Sequence, residues 1–182
     1  SLGGIAGSTP NFSVNPSGGG SRYFTNYSLR GLGNFSFLSR DAVGIYVDDV
    51  PYDYGSFIDI DLIDLERVEV LRGPQNTLYG RNTSAGAINI ITRRPANIFE
   101  FRSSASYSSY NNPAIQASVS APLTPDKLSF RLSGNYASQA GFTENTFLDE
   151  FIGERSGGSG RAQLLWTPSD RWDILLSTRF DD

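Results

Sequence analysis

The chain has 182 residues, with 15 Lys plus Arg against 19 Asp plus Glu, a formal net charge of -4, and no Cys, His or Met. Without Cys or His there is no thiolate or imidazole metal site, no disulfide, no Ser-His-Asp or Cys-His nucleophile and no histidine general base. The acidic balance gives no reason to expect nucleic acid, and no apolar run approaches the roughly 20 residues of a spanning helix, so any membrane residence requires a β-barrel. A chain without methionine does not begin at its own start codon, so Ser1 is expected to be an internal or processed residue of something longer.

In chain order, the polar, Gly-rich stretch over residues 3–21, including Gly18-Gly19-Gly20, reads as an exposed loop. Short β-like runs follow at residues 27–30, 43–47, 67–71 and 87–92, and Ile58, Leu62 and Leu65 carry the spacing of one or two helical turns. Nine carboxylates lie between Asp41 and Glu69 with Arg67 as the one counter-charge, in a spacing that fits no EF-hand. A solvated acidic face, or a set of partners for arginines, fits them better than a metal site, and none is assigned. Asp48-Asp49 placed on a strand would point to opposite faces, which is a poor acid/base couple. A small α+β globule accounts for residues 1–95.

The seam is expected at Arg93-Arg94-Pro95, because residues 96–182 follow a different grammar. Phe99, Phe101, Ala105 and Tyr107 alternate with Glu100, Arg102, Ser104 and Ser106. The same period of two recurs through Ile115, Ala117 and Val119; Leu128, Phe130, Leu132 and Tyr136; Ala162, Leu164 and Trp166; and Trp172, Ile174, Leu176 and Phe180, each against Ser, Gln, Asn, Asp or Arg. Five half-buried antiparallel strands are predicted. Two structures satisfy that pattern: a transmembrane barrel wall with the apolar face toward lipid, and a soluble sandwich with the apolar face inward. Short connections at residues 123–126 and 167–171 and a long polar one at 140–159 have the asymmetry of a barrel, although the short Asn111-Asn112 hairpin departs from it. Tyr107, Tyr136, Trp166, Trp172 and Phe180 lie on apolar faces toward strand ends, where amphipathic rings suit the headgroup level.

The most specific stretch is Val68-Glu69-Val70-Leu71-Arg72-Gly73-Pro74-Gln75, continuing through Thr77-Leu78-Tyr79-Gly80-Arg81-Asn82 to Ser84-Ala85-Gly86-Ala87-Ile88-Asn89-Ile90-Ile91-Thr92. Upstream stand Ser28-Leu29-Arg30-Gly31 and Gly44-Ile45-Tyr46-Val47-Asp48-Asp49-Val50-Pro51. In this order the motifs closely resemble the plug domain of TonB-dependent outer-membrane receptors, and the alternating half resembles the first barrel strands of that family. Physically, Arg72-Gly73-Pro74 ends a strand, and Gly80 and Gly86 bracket a polar turn that reads as a tight fold-back rather than a ligand loop. No phosphate-binding motif fits, since no Gly-Lys-Ser/Thr follows Gly80 and no third glycine follows Gly31-Leu32-Gly33 at the required spacing.

The resemblance implies an α+β plug domain (1–95) followed by antiparallel β-strands of a transmembrane β-barrel, incomplete in this chain (96–182). It implies residence in the bacterial outer membrane, import of a scarce nutrient such as a ferric siderophore, and an inner-membrane energy complex acting through a TonB-type coupling protein whose contact segment is expected upstream of Ser1. No enzyme activity and no cofactor are implied. Arg30 and Arg72 match plug arginines that pair with barrel glutamates. Candidate ligand contacts are Phe35, Phe37, Tyr52 and Tyr54, four aromatics in turn-like segments that could form a shallow platform for an iron chelate or could pack the plug against the wall. The competing class is a soluble β-rich binding module of the carbohydrate-binding or adhesin type.

Overall fold

The computed structural model describes residues 2–16, 25–33, 42–52, 63–109, 111–141, 143–145 and 150–181. They form two compact units, Ser1–Thr92 and Arg93–Asp182, so Arg93, Arg94 and Pro95 go with the second unit.

The first unit opens with α1 (Leu2–Ser8) and β1 (Phe12–Pro16), where an exposed loop is expected from the glycine content. Tertiary contacts override that composition. β1 pairs antiparallel with β2 (Thr25–Leu29), Phe12 is buried, and Ile5 and Ala6 of α1 pack on the core. The short β3 (Leu32–Gly33) completes a three-stranded sheet in the order β1-β2-β3.

A four-stranded sheet has the order β5-β4-β7-β6, with β4 (Val43–Val47), β5 (Val50–Tyr52), β6 (Leu65–Arg72) and β7 (Gly86–Thr92). β4 and β7 are parallel neighbours at its centre, and every residue of β4 is buried, which is why that strand reads as a continuous apolar run rather than an alternation. Val43, Ile45 and Val47 join Ile88 and Ile90 of β7 and Phe12, Tyr27 and Leu29 of the first sheet in one core cluster. Of the helical turn expected at Ile58 to Leu65, residues 58–62 lie outside the described residues, and Leu65 already belongs to strand β6.

Asp48 and Asp49 are not on a strand. Both have positive φ, 49° and 66°, and they form the two-residue turn between Val47 and its partner Val50, the geometry of a type I′ hairpin that tolerates Asp. The chain leaves β6 through Gly73 (φ 95°), passes the single-turn helix α2 (Asn76–Tyr79) and returns into β7. The Gly73 and Gln75 amides donate to the Ala85 and Thr83 carbonyls at 2.9 and 3.0 Å, which closes the expected fold-back.

In the second unit β8 (Glu100–Ser108), β9 (Asn112–Thr124), β10 (Leu128–Gln139), β13 (Arg155–Ser169) and β14 (Trp172–Asp181) form an antiparallel sheet in the order β14-β13-β10-β9-β8. β9, β10 and β13 have 13, 12 and 15 residues, longer than the roughly 9–11 that a tilted strand needs to cross a bilayer. The long connection holds a short hairpin, β11 (Thr143–Asn145) with β12 (Glu150–Ile152), where the sequence suggests only a polar loop.

The two faces of this sheet are the reverse of a soluble sandwich. Ser118, Ser120, Ser129, Arg131, Ser133, Ser159, Arg161 and Gln163 are buried, whereas Phe101, Tyr107, Leu132, Tyr136, Trp166, Trp172, Leu176 and Phe180 are all about half exposed or more. Register aligns the polar side into rows: Glu100 opposes Ser120, Ser120 opposes Arg131, Arg131 opposes Gln163, and Gln163 opposes Ser177. Within the polar face Arg131, 2% exposed, donates from Nη1 to Glu100 Oε2 at 3.2 Å. Ser159 donates to Asn135 Oδ1 from its amide and its hydroxyl at 3.1 and 2.6 Å. On the apolar face the Phe180 ring covers Gly160, where an added Cβ would come within 2.5 Å of it.

Candidate functional site

The first unit carries a cleft of about 230 Å³ between β4, the end of β5 and the turn that follows α2. Its walls include Tyr46, Pro51 and Tyr52 on one side and Tyr79, Arg81 and Asn82 on the other. Pockets that enclose a drug-sized molecule run to roughly 300–1,000 Å³, so this one has room for no more than a single ring or side arm.

Local chemistry sets both walls. Tyr46 is on the β4 face that points away from the core cluster, its hydroxyl donates to the Tyr79 carbonyl, and the two rings meet edge to face with centroids 4.7 Å apart. That ties the end of α2 to the sheet. Gly80 (φ 75°) and Asn82 (φ 68°) then reverse the chain, and the fully buried Thr83 fastens the turn by donating to the Gly80 carbonyl at 2.7 Å and to Asn76 Oδ1 at 2.9 Å. Gly44 belongs to the same arrangement: a Cβ there would lie 2.6 Å from Thr83 Cγ2 and 2.8 Å from the Tyr46 ring. The opposite wall hangs on the Asp48-Asp49 turn. Asp48 accepts from the Thr92 amide at 2.8 Å and from the Thr92 hydroxyl at 2.7 Å, which holds the turn of the β4–β5 hairpin to the end of β7.

Among the described residues Arg81 has no carboxylate partner and is exposed. The site therefore offers aromatic surface, backbone and side-chain amides, and one guanidinium, a set suited to a planar or acidic group.

Of the residues predicted from sequence, Tyr52 lines this cleft and also packs against the core cluster of its own unit. Phe35, Phe37 and Tyr54 lie outside the described residues. Sequence reasoning missed Tyr46, Tyr79, Arg81 and Asn82 as cleft residues, because the turn after α2 reads as a fold-back only. The available signal was an aromatic and a cation set among Gly and Asn, the residues that permit positive φ.

Arg30 occupies the β2–β3 turn with φ 57°, and its amide donates to the Asn11 carbonyl at 2.8 Å. Its guanidinium reaches to within 3.7 Å of where a Gly73 Cβ would stand, next to Arg72 at the end of β6. Both arginines are exposed, and among the described residues neither has a carboxylate partner. The fold thus brings two predicted cations to one edge of the unit.

A second, wider concavity of about 400 Å³ lies on the exposed apolar face of the five-stranded sheet, around Ala162 between Phe130, Leu132, Leu164 and Leu176. It carries no charged side chain and is part of that face.

Comparison with known proteins gives concordant matches. The TonB-dependent Receptor Plug Domain family matches residues 1–87. The pesticin receptor of Yersinia enterocolitica is 42% identical over 82 residues, 45% of this chain and 12% of that protein. The ferrioxamine receptor of the same species is 29% identical over 174 residues, 92% of this chain and 22% of that protein. The crystal structure of the ferric yersiniabactin uptake receptor FyuA from Yersinia pestis superposes with a TM-score of 0.84 at 28% identity, covering 95% of this chain and 27% of that one. The chain therefore spans about a quarter or less of the length of these relatives.

Proposed function

We propose, from the premise that this chain is a segment of a TonB-dependent outer-membrane receptor, its plug domain followed by the first strands of its β-barrel, that the whole protein imports a ferric siderophore. The observation that carries the reading is the pairing of a plug fold with a wall whose apolar residues face outward and whose polar residues are buried. Two relatives, named as ferrioxamine and ferric yersiniabactin receptors, support an iron chelate as the ligand. The receptor works as a transporter with no catalytic role, and a TonB-type coupling protein supplies the energy.

In this reading the cleft of Tyr52, Tyr79 and Arg81 takes one ring or acidic arm of the chelate, the rings giving contact area at low entropic cost and the guanidinium giving charge. Phe35, Phe37 and Tyr54 remain candidates for the same platform. Arg30 and Arg72 form the latch, meeting glutamates of barrel strands outside this chain. Replacing both with Ala would loosen plug seating and alter transport while leaving the barrel assembled.

The test is uptake of radiolabelled iron, presented as ferrioxamine or ferric yersiniabactin, by cells in which this receptor is the sole route, with and without a functional coupling protein. Coupling-dependent uptake of one chelate, reduced by Tyr52→Ala and by Arg81→Ala at unchanged receptor level, is expected. Uptake of a metal-free solute in place of every ferric chelate would sink the proposal.

A further inference from the structure

The segment that leads into β8 is fastened across the polar face of the five-stranded sheet before the strand begins. Arg94 pairs with Asp173 of β14 at 3.5 Å, and its carbonyl accepts from Arg131 Nη1 of β10 at 3.5 Å. The Ala96 amide donates to Ser120 Oγ of β9 at 2.9 Å, and the hydroxyl of Ser120, a fully buried residue, donates in turn to the Phe130 carbonyl at 2.8 Å. Asn97 closes a two-way clamp on the β9–β10 turn: its Oδ1 accepts from the Asp126 amide at 2.9 Å and its Nδ2 donates to the Asp126 carboxylate. Residue 100 then enters β8 opposite Ser120, and its carboxylate returns to the Arg131 guanidinium that also holds Arg94.

Three residues, Arg94, Ala96 and Asn97, thus touch β14, β10, β9 and the β9–β10 turn, and two of the groups that receive them, Arg131 and Ser120, are among the most buried of the described residues. The bonds to Arg131 and Ser120 are shielded from water on that side and exchange less freely for hydration, whereas the Arg94–Asp173 and Asn97–Asp126 contacts are open to solvent. β8 is an edge strand, and the contacts stand along residues 94–97, so a displacement of the chain at residue 93 meets them before it reaches β8.

We infer that residues 94–97 form a strap by which the barrel wall keeps hold of the chain leaving the plug, so that rearrangement of the plug stops at residues 92–93 and does not peel β8. The inference rests on the plug-and-barrel reading but not on the identity of the ligand. Nothing else in the segment explains why a connector should place three of its polar groups on buried or turn-forming partners.

The experiment is hydrogen–deuterium exchange on the intact receptor in detergent micelles at rising urea, followed in peptides covering residues 86–92, 93–99 and 112–139. The expected result is that residues 93–99 stay protected together with 112–139 after 86–92 have exchanged. A double variant, Asn97→Ala with Ser120→Ala, should lose the protection of 93–99 while 112–139 keep theirs. The strap is overturned if residues 93–99 exchange with 86–92 in the parent, if all three regions go together, or if the double variant leaves 93–99 protected as before. Should the variant fail to assemble, the parent series decides alone. No step involves ligand or uptake, so a wrong assignment of the cargo would leave this result untouched.

Discussion

Asp48 accepts two bonds from Thr92, whose side chain and amide are almost fully buried, and it does so from a left-handed backbone position that Asp and Asn tolerate better than other residues. Asp48→Ala removes the acceptor and leaves a buried donor unmet, at a cost of about 1–3 kcal/mol. Asp48→Asn keeps the turn and one acceptor and should retain the larger part of that stability, read as plug-domain protection in urea. Gly86 is the opposite case, a residue that matters for what it lacks. A Cβ there would fall 2.2 Å from the Leu71 carbonyl and 2.4 Å from Leu29 Cδ2 at a φ of 152°. Gly86→Ala must push β6 from β7, with an expected loss of about 1–3 kcal/mol or more, measured the same way. A third site is sensitive to pH. The hydrogen bond from Arg67 to Glu69, 2.7 Å, holds the Glu69 carboxyl below its ordinary value against a smaller opposing effect of desolvation, and the same contact raises Arg67. A depressed carboxyl contributes stability that is full above its unfolded value and is lost as pH falls through the folded one. Arg67→Ala should therefore move the Glu69 titration upward in a carboxyl-resolved NMR experiment, and a Glu69 value unchanged by the substitution would show that the contact does not persist in solution. Both side chains are open to water, so little stability depends on the pair.

Each wall strand has two faces, and a substitution has opposite meanings on them. Leu132 stands mid-strand on β10 opposite Val119 and Ala162, with 48% of its surface exposed. In the assembled barrel Leu132→Arg places a charge toward hydrocarbon at an expected cost of about 2–4 kcal/mol near the midplane. Ser118, one residue before Val119 and on the polar side, should accept Ala with little change. Folding yield into lipid vesicles checks both, and equal tolerance at the two sites would contradict the assignment of faces. β6 is an edge strand of its sheet and carries Glu66, Arg67 and Glu69 along it, charges that discourage pairing with another chain.

The five-stranded sheet has two unpaired edges, β8 and β14, and an apolar face on which the rings of Trp166 and Trp172 stand toward one end and those of Tyr136 and Phe180 toward the other. Residues 93–182 produced alone should consequently aggregate or require detergent, because open edges and an apolar face together have no stable arrangement in water. Sedimentation with and without detergent is the measurement. A monomer that unfolds cooperatively in plain buffer would mean that the apolar face finds a core of its own.

The period of two in residues 99–180 and the apolar runs at 43–47 and 87–92 were legible without coordinates, since backbone geometry forces alternate side chains to opposite sides and forces a strand covered on both sides to be apolar throughout. The plug motifs were legible for a related reason: Arg72-Gly73-Pro74, Gly80 and Gly86 mark where the chain must turn, and turns are local. Alternation alone left the buried face open, being unchanged when the two faces are exchanged, although the connection lengths and the placement of the rings pointed to an outward apolar face. Only the three-dimensional structure puts Ser120 and Arg131 inside and Leu132 and Trp166 outside. The Gly-rich start was misread for a similar reason, its strand existing through pairing with β2 rather than through its own propensity. The cleft was half legible: Tyr52 was visible as an aromatic in a turn, whereas Tyr46, Tyr79 and Arg81 are separated from it by up to 29 positions along the chain and meet it because β4 lies beside β5 and the turn after α2 folds back toward them. Composition excluded catalytic and metal-binding classes, and the resemblance of the turn-rich motifs implied the family; the meeting of distant side chains across strands, which depends on register, decided the cleft.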